Sequence, residues 1–419
     1  MLPRAVTPHI LAALADTPVV FLAGPRQAGK STLAQWIASG PHPARYLTLD
    51  DATILSAATQ DPTGFLAGLE GPVVLDEVQR APALYLALKA AVDRDRTPGR
   101  FLLTGSAKAL MLPQLAEALV GRMEVLTLWP FAQCELAGAP TETVGLRGDF
   151  VDALFGDEWP GTAAGTDRQD LLGRIVVGGY PEAVDRKAAA RRRAWFGSYV
   201  TTILQRDIRD LARIEGLADL SRLLALMAAR STGLLNYAEL SRSSALPQTT
   251  LKRYLALLEA TYLVQTLPAW SGNLGRRLVK SPKLLFVDTG LMAHLLGLSS
   301  EADLRQDSPA VGPLVENFVA VELLKQLDWS RTQPRLYHFR SHAGQEVDLV
   351  LEDARGRLVG IEVKASSEAS ADDFRGLRAL AEQVGPHFQR GVVLYAGRET
   401  VPFGERLRAY PISSLWSGC

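Results

Sequence analysis

The stretch Gly24-Pro25-Arg26-Gln27-Ala28-Gly29-Lys30-Ser31-Thr32 constrains this chain more than any other, because it contains Gly24-(x)4-Gly29-Lys30-Ser31, a full phosphate-binding-loop pattern. An apolar run, residues 19–23, leads into it, and the helix-forming Leu33-Ala34-Gln35-Trp36 follows. Strand, loop and helix in that order are the context the pattern requires. Glycines let the backbone curl until successive N–H groups face phosphate oxygens, and the helix N-terminus adds partial positive charge. The pattern therefore assigns residues 24–32 to a nucleotide, Lys30 to its β- and γ-phosphates and the Ser31 hydroxyl to Mg²⁺. ATP and Mg²⁺ are the expected cofactors.

A loop of this kind sits on a parallel α/β sheet, and the next segments alternate accordingly. Residues 8–15 read as a short helix, 45–51 as a strand ending in acids, 52–69 as helix, and Gly71-Pro72 as a breaker. Val73-Val74-Leu75-Asp76-Glu77 then has the form of a buried strand delivering carboxylates to its C-terminal edge, where open α/β sheets bind ligands. Asp76 is placed to hold Mg²⁺, and Glu77 to orient or deprotonate the attacking water. After an amphipathic helix over 82–93, the strand Phe101-Leu102-Leu103-Thr104 ends in a hydroxyl. Thr104, with Ser106 second, either senses the γ-phosphate or caps a helix over 107–110. Arg122, ahead of the strand 123–128, is either a γ-phosphate finger or half of a surface salt bridge.

Composition narrows the partners. Lys plus Arg (45) balance Asp plus Glu (45), so any nucleic-acid contact must come from a local patch. The two cysteines, Cys134 and Cys419, fit neither a disulfide framework nor a thiolate metal site, and a reducing cytoplasm is expected. No apolar run approaches the ~20 residues of a membrane span. The six histidines show no metal-ligand spacing.

The succession Gly-Pro-Arg-Gln-Ala-Gly-Lys-Ser, Leu49-Asp50-Asp51, Leu75-Asp76-Glu77-Val78-Gln79-Arg80-Ala81-Pro82, Leu103-Thr104-Gly105-Ser106 and Gly121-Arg122-(x)7-Pro130 resembles one family: prokaryotic AAA+-type ATPases with a C-terminal domain of unknown function. The likeness continues through Gly178-Gly179-Tyr180-Pro181-Glu182, Arg206-Asp207-Ile208 and Gly344-Gln345-Glu346-Val347-Asp348, nearly the whole chain. It implies a C-terminal region similar to a winged helix followed by a PD-(D/E)XK nuclease-like fold. It also makes ring assembly an open possibility.

The residues themselves can be read beside that resemblance. Residues 139–170 form an insertion or hinge, and 185–208 a long helical region. Its basic run, Arg186, Lys187, Arg191, Arg192 and Arg193, is a solvated helix face or a phosphate-contacting patch. Over 217–270, two helices joined by a tight turn at 245–247 and followed by a strand at 264–267 fit a winged helix-turn-helix. Gln248, Thr249, Lys252 and Arg253 lie on its outer face, available to DNA or to a protein. From 274 on, a helix carrying Glu316, strands over 335–340, 346–352 and 357–365, a helix over 371–382 and a strand over 391–395 give an αβββαβ order. Asp348 lies on the middle strand, and Glu362 and Lys364 share a face of the next, two residues apart. Glu316, Asp348 and Glu362 are candidate ligands of a divalent metal, with Lys364 orienting water against a phosphodiester. A solvated Glu362–Lys364 pair is the other reading.

The expected architecture is thus an AAA+-type P-loop domain (1–165), a helical and winged-helix middle (166–272) and a PD-(D/E)XK-like α/β domain (273–419). The expected function is Mg²⁺-dependent ATP hydrolysis coupled to DNA binding or remodelling, with metal-dependent cleavage open. The alternative is an ATP-driven switch that engages a protein partner through an inactive nuclease-like domain.

Overall fold

The structure, a computed structural model, describes residues 2–106, 117–138, 150–161, 165–208, 217–273, 275, 277, 280–304, 308–341 and 344–417. Its contacts gather the chain into two compact units. One comprises Ala5–Pro130 with Ala256–Leu263; the other comprises Met1–Arg4, Phe131–Leu255 and Val264–Cys419.

In the first unit, continuous apolar runs become fully buried strands: β1 (Val19–Ala23), β3 (Val73–Asp76) and β4 (Phe101–Thr104). With β2 (Arg45–Thr48) and β5 (Met123–Thr127) they form a parallel sheet in the order β2-β3-β4-β1-β5. Because β3, β4 and β1 are neighbours and run the same way, the loop after Ala23, the Asp76-Glu77 pair and Thr104 meet at one sheet edge. Ile10 and Leu14, Leu33 and Ile37, and Val20, Leu22, Val74 and Leu102 interlock as its core. The helix expected over 52–69 is two, Ala52–Gln60 and Pro62–Ala67, because Pro62 cannot donate to a continuing helix and Asp61 caps the second at Gly64. The helix expected over 107–110 lies outside the described residues, as does part of the insertion over 139–170.

The second unit starts helical. The long helical region expected over 185–208 is the helix Ala189–Thr202 continued by a π-helical turn, Ile203–Ile208, and a short helix, Pro181–Asp185, precedes it. Three helices follow, Leu217–Ala228, Tyr237–Ser244 and Gln248–Ala260, the last belonging to this unit as far as Leu255. A two-stranded antiparallel sheet comes next, β6 (Val264–Leu267) with β7 (Lys283–Phe286), whose second strand was not expected. The C-terminal part is a six-stranded mixed sheet, β12-β13-β11-β10-β9-β8. It comprises β8 (Arg335–Arg340), β9 (Glu346–Glu352), β10 (Leu358–Lys364), β11 (Phe388–Tyr395), β12 (Val401–Gly404) and β13 (Leu407–Pro411). The last two exceed the expected αβββαβ order. Phe339, Val347, Val350, Phe374, Leu377 and Val393 form its core. Among the described residues no helix is long and apolar enough to cross a membrane.

The Gly178-Gly179 pair acquires a structural reason here. Gly178 has φ +71°, and a Cβ on it would run into the Asp288 carboxylate. Asp288 is buried and accepts the Gly179 amide at 2.7 Å and the Leu291 amide at 2.9 Å, capping the helix Thr289–Leu295. Asp288→Ala removes a cap and orphans a buried amide, so it should cost about 2–4 kcal/mol, measured by denaturant unfolding.

Candidate nucleotide site and C-terminal carboxylate cluster

The nucleotide site begins with backbone geometry. Gly24 (φ +145°), Gln27 (φ +60°) and Gly29 (φ +97°) wind the loop through conformations that side chains disfavour. A Cβ on Gly24 would collide with the Leu128 carbonyl, so only glycine lets the loop start where it does. Gly29 leads directly into the helix Lys30–Ser39, whose first turn carries no side-chain cap. Pro25 and Ala28 are buried, Arg26 is half-buried, and Gln27 and Thr32 are exposed. Lys30 is buried, its ammonium donating to the carbonyls of Gly24 (3.0 Å) and Pro25 (2.8 Å).

Asp76, 3% exposed, is the focus of the carboxylate side. Ser31 Oγ donates to its Oδ1 at 2.9 Å, Thr104 Oγ1 donates to the same oxygen, and Tyr46 donates to Oδ2 at 2.8 Å. Burial and the neighbouring carboxylate hold the Tyr46 hydroxyl well above its ordinary range, so it stays a donor. Thr104 Oγ1 also accepts the Glu77 amide at 3.1 Å. Glu77 has φ +60° and ψ +42°, rare for a side-chain-bearing residue. Its carboxylate accepts from Gln79 Nε2, which also reaches Ser106 Oγ at 3.2 Å. These residues fit a nucleotide with its metal: a loop that admits no Cβ at Gly24, an uncapped helix start, and a buried carboxylate beside a hydroxyl.

Arg122 is not brought to this edge. It precedes β5, at the opposite end of the parallel strands, and its guanidinium pairs with Asp93 at 2.6 Å. Within the one chain it is a salt-bridging residue. Sequence reasoning also missed Tyr46 and Gln79, whose roles come from pairing of β2 with β3 and from a turn after Glu77.

The C-terminal cluster is built differently. Ile361 on β10 pairs with Leu349 on β9, and just beyond, Asp348 Oδ2 accepts the Val363 amide at 3.0 Å. Glu362 pairs with Lys364 at 2.9 Å, and Lys364 lies 3.7 Å from Asp373. Both Glu362 and Lys364 line an open cleft of about 490 Å³ with Gly344, Glu346 and Asp373. Glu316, on the helix Val311–Leu327, meets this group through Lys283, whose ammonium is 2.7 Å from Glu316 Oε1 and 3.2 Å from Asp348 Oδ1. The expected ligand set is therefore not assembled around a vacant centre: a lysine stands between two of its acids. Among the described residues no three His, Cys, Asp or Glu side chains come together as a metal site would require. The residues present do not fit a divalent metal. No spacing pattern in the sequence singles out Lys283, since it starts a strand found only through its pairing with β6.

The basic run of the middle region is partly structural. Arg186 pairs with Glu182 at 2.5 Å, and Arg192 donates to the carbonyls of Arg186 and Lys187. Arg191 and Arg193 are exposed. The side chains of Arg206 and Asp207 lie outside the described residues.

Burial first, and the Asp348 carboxylate second, push Glu316 and Glu362 up to about 7 from the ordinary 4.5. A carboxyl with a raised folded pKa stabilises fully below its unfolded value, and the contribution is lost as pH rises through the folded value. The thermal midpoint of Glu362→Gln should therefore fall less between pH 4.5 and 7 than that of the wild type.

Comparison with known proteins places these sites in context. Residues 16–137 match an AAA domain, 168–302 a domain of unknown function (DUF8612) and 311–415 another (DUF4143). The chain is 32% identical over 417 residues to "Uncharacterized protein Rv2008c" of Mycobacterium tuberculosis, and equally to "Uncharacterized protein Mb2031c" of Mycobacterium bovis. Each alignment spans 98% of this chain and 84% of the relative. Among solved structures, a point variant of RuvB from Thermotoga maritima is similar with 20% identity and a TM-score of 0.31, covering 63% of this chain and 89% of its own. The chain belongs to one family with the two mycobacterial proteins, and is an ATP-binding AAA-domain protein that also carries a DUF4143 domain.

Proposed function

We propose that this protein is a Mg²⁺-dependent ATPase whose nucleotide state sets its hold on double-stranded DNA, without cutting it. The reading is carried by the meeting of Lys30, Ser31 and Asp76 at one strand edge, with Ser31 Oγ 2.9 Å from Asp76 Oδ1. Lys30, Ser31 and the loop amides would hold the nucleotide, and Ser31 with Asp76 its metal. Together, ATP and Mg²⁺ supply a phosphoanhydride bond and counter-charge for its hydrolysis. Glu77 orients water and accepts its proton. Thr104 holds both acids in register through Asp76 Oδ1 and the Glu77 amide.

The DNA half rests on the middle region. Three helices and an antiparallel pair of strands read as a winged helix, and Gln248, Thr249, Lys252 and Arg253 are exposed on its third helix. The mixed C-terminal sheet reads as a PD-(D/E)XK-like fold, and a fold persists without its chemistry. Lys283 between Glu316 and Asp348 favours that non-cleaving form.

Steady-state ATP hydrolysis with Mg²⁺, with and without double-stranded, single-stranded and branched DNA, tests the reading. Lys30→Ala should abolish turnover. Glu77→Gln should lower it by about 10²–10⁴-fold, the contribution of a positioned general base, while ATP binding survives. Duplex DNA should stimulate the wild type, and Lys252→Glu with Arg253→Glu should remove that stimulation. Unchanged turnover in Lys30→Ala would overturn the ATPase reading. Equal turnover with every DNA form would transfer the second half to a protein partner.

A further inference from the structure

The C-terminal acids have the residue types of a metal centre, and a different cation already stands among them. We propose that the Lys283 ammonium is a built-in cation in the place a catalytic metal would take, so that Glu316, Asp348 and Glu362 bind no divalent ion. The position is fixed by backbone. Lys283 pairs with Leu267 across the β6–β7 ladder and bridges to Leu234 on its other side. Three residues on, Phe286 is clamped by Asn317, which accepts its amide at 2.8 Å and donates to its carbonyl at 2.9 Å. Asn317 is fully buried and follows Glu316 directly, so the clamp that holds β7 also sets Glu316 beside the lysine.

Departure of the ammonium is opposed by its surroundings. Lys283 is 6% exposed, so leaving its two carboxylates would strand a charge away from water. The remaining acid, Glu362, already has Lys364 at 2.9 Å. A divalent ion entering here would meet two ammonium groups. His338 on β8 senses the same field: burial first, and Lys283 second, push its imidazole down to about 4. This inference stands apart from the nucleotide site; the non-cleaving part of the proposed function rests on it.

Mn²⁺ binding to the nucleotide-free full-length chain, read from the free-ion electron paramagnetic resonance signal, tests it. Wild type and Asp348→Asn should bind Mn²⁺ identically. Lys283→Met should gain one site at least tenfold tighter than any in the wild type, and Asp348→Asn in that background should remove it. A wild-type site lost in Asp348→Asn would overturn the proposal, as would a Lys283→Met protein of native circular dichroism that gains nothing. Should Lys283→Met fail to fold, Lys283→Gln takes its place, and plasmid nicking supplies a second measurement. Mn²⁺-dependent nicking by the wild type that Glu362→Ala abolishes would overturn the proposal, and nicking no greater than that of Glu362→Ala would support it.

Discussion

A single buried carboxylate ties the nucleotide site together. Asp76 draws hydroxyls from three elements, Ser31 on the helix after the loop, Thr104 on β4 and Tyr46 on β2, to the end of β3. Each donor is a neutral hydroxyl, and between them they satisfy both carboxylate oxygens. That arrangement suits a transient cation, which can be bound with a nucleotide and released with its product. It depends on the order β2-β3-β4-β1, which sets the donors on either side of Asp76.

The C-terminal acids present the same physical problem with the opposite solution. Burying three carboxylates is costly unless each is paired. Here the partners are ammonium groups carried by the chain: Lys283 for Glu316 and Asp348, and Lys364 for Glu362. A permanent cation makes a stable cluster and removes the need for an exchangeable one. Two acid-rich sites in one protein thus differ in what surrounds them, hydroxyls in one and lysines in the other.

Much of this was legible locally. The strand Val19–Ala23 and the strands 346–352 and 335–340 follow from their runs of apolar and β-forming residues. Errors arose where a local signal was weaker than its context. The segment 52–69 looked helical throughout, yet Asp61-Pro62 divides it. Arg122, open between a γ-phosphate finger and half of a salt bridge, is paired with Asp93, because it precedes β5 at the end of the strands away from the loop. β7, β12 and β13 were missed because four or five residues give too short a pattern to stand apart from loops.

The sequence by itself determined the phosphate-binding loop, the acids ending β3 and the alternation that makes a parallel sheet, since these are properties of short contiguous segments. Backbone freedom at Gly24 and Gly29 and the apolarity of 73–75 need no distant partner to be recognised. Only the tertiary structure decided which groups stand opposite those residues. Tyr46 reaches Asp76 because β2 pairs with β3, and Lys283 reaches Glu316 and Asp348 because Asn317 clamps β7. Electrostatic character depends on the charges within a few ångströms, and in a folded chain those neighbours come from remote segments.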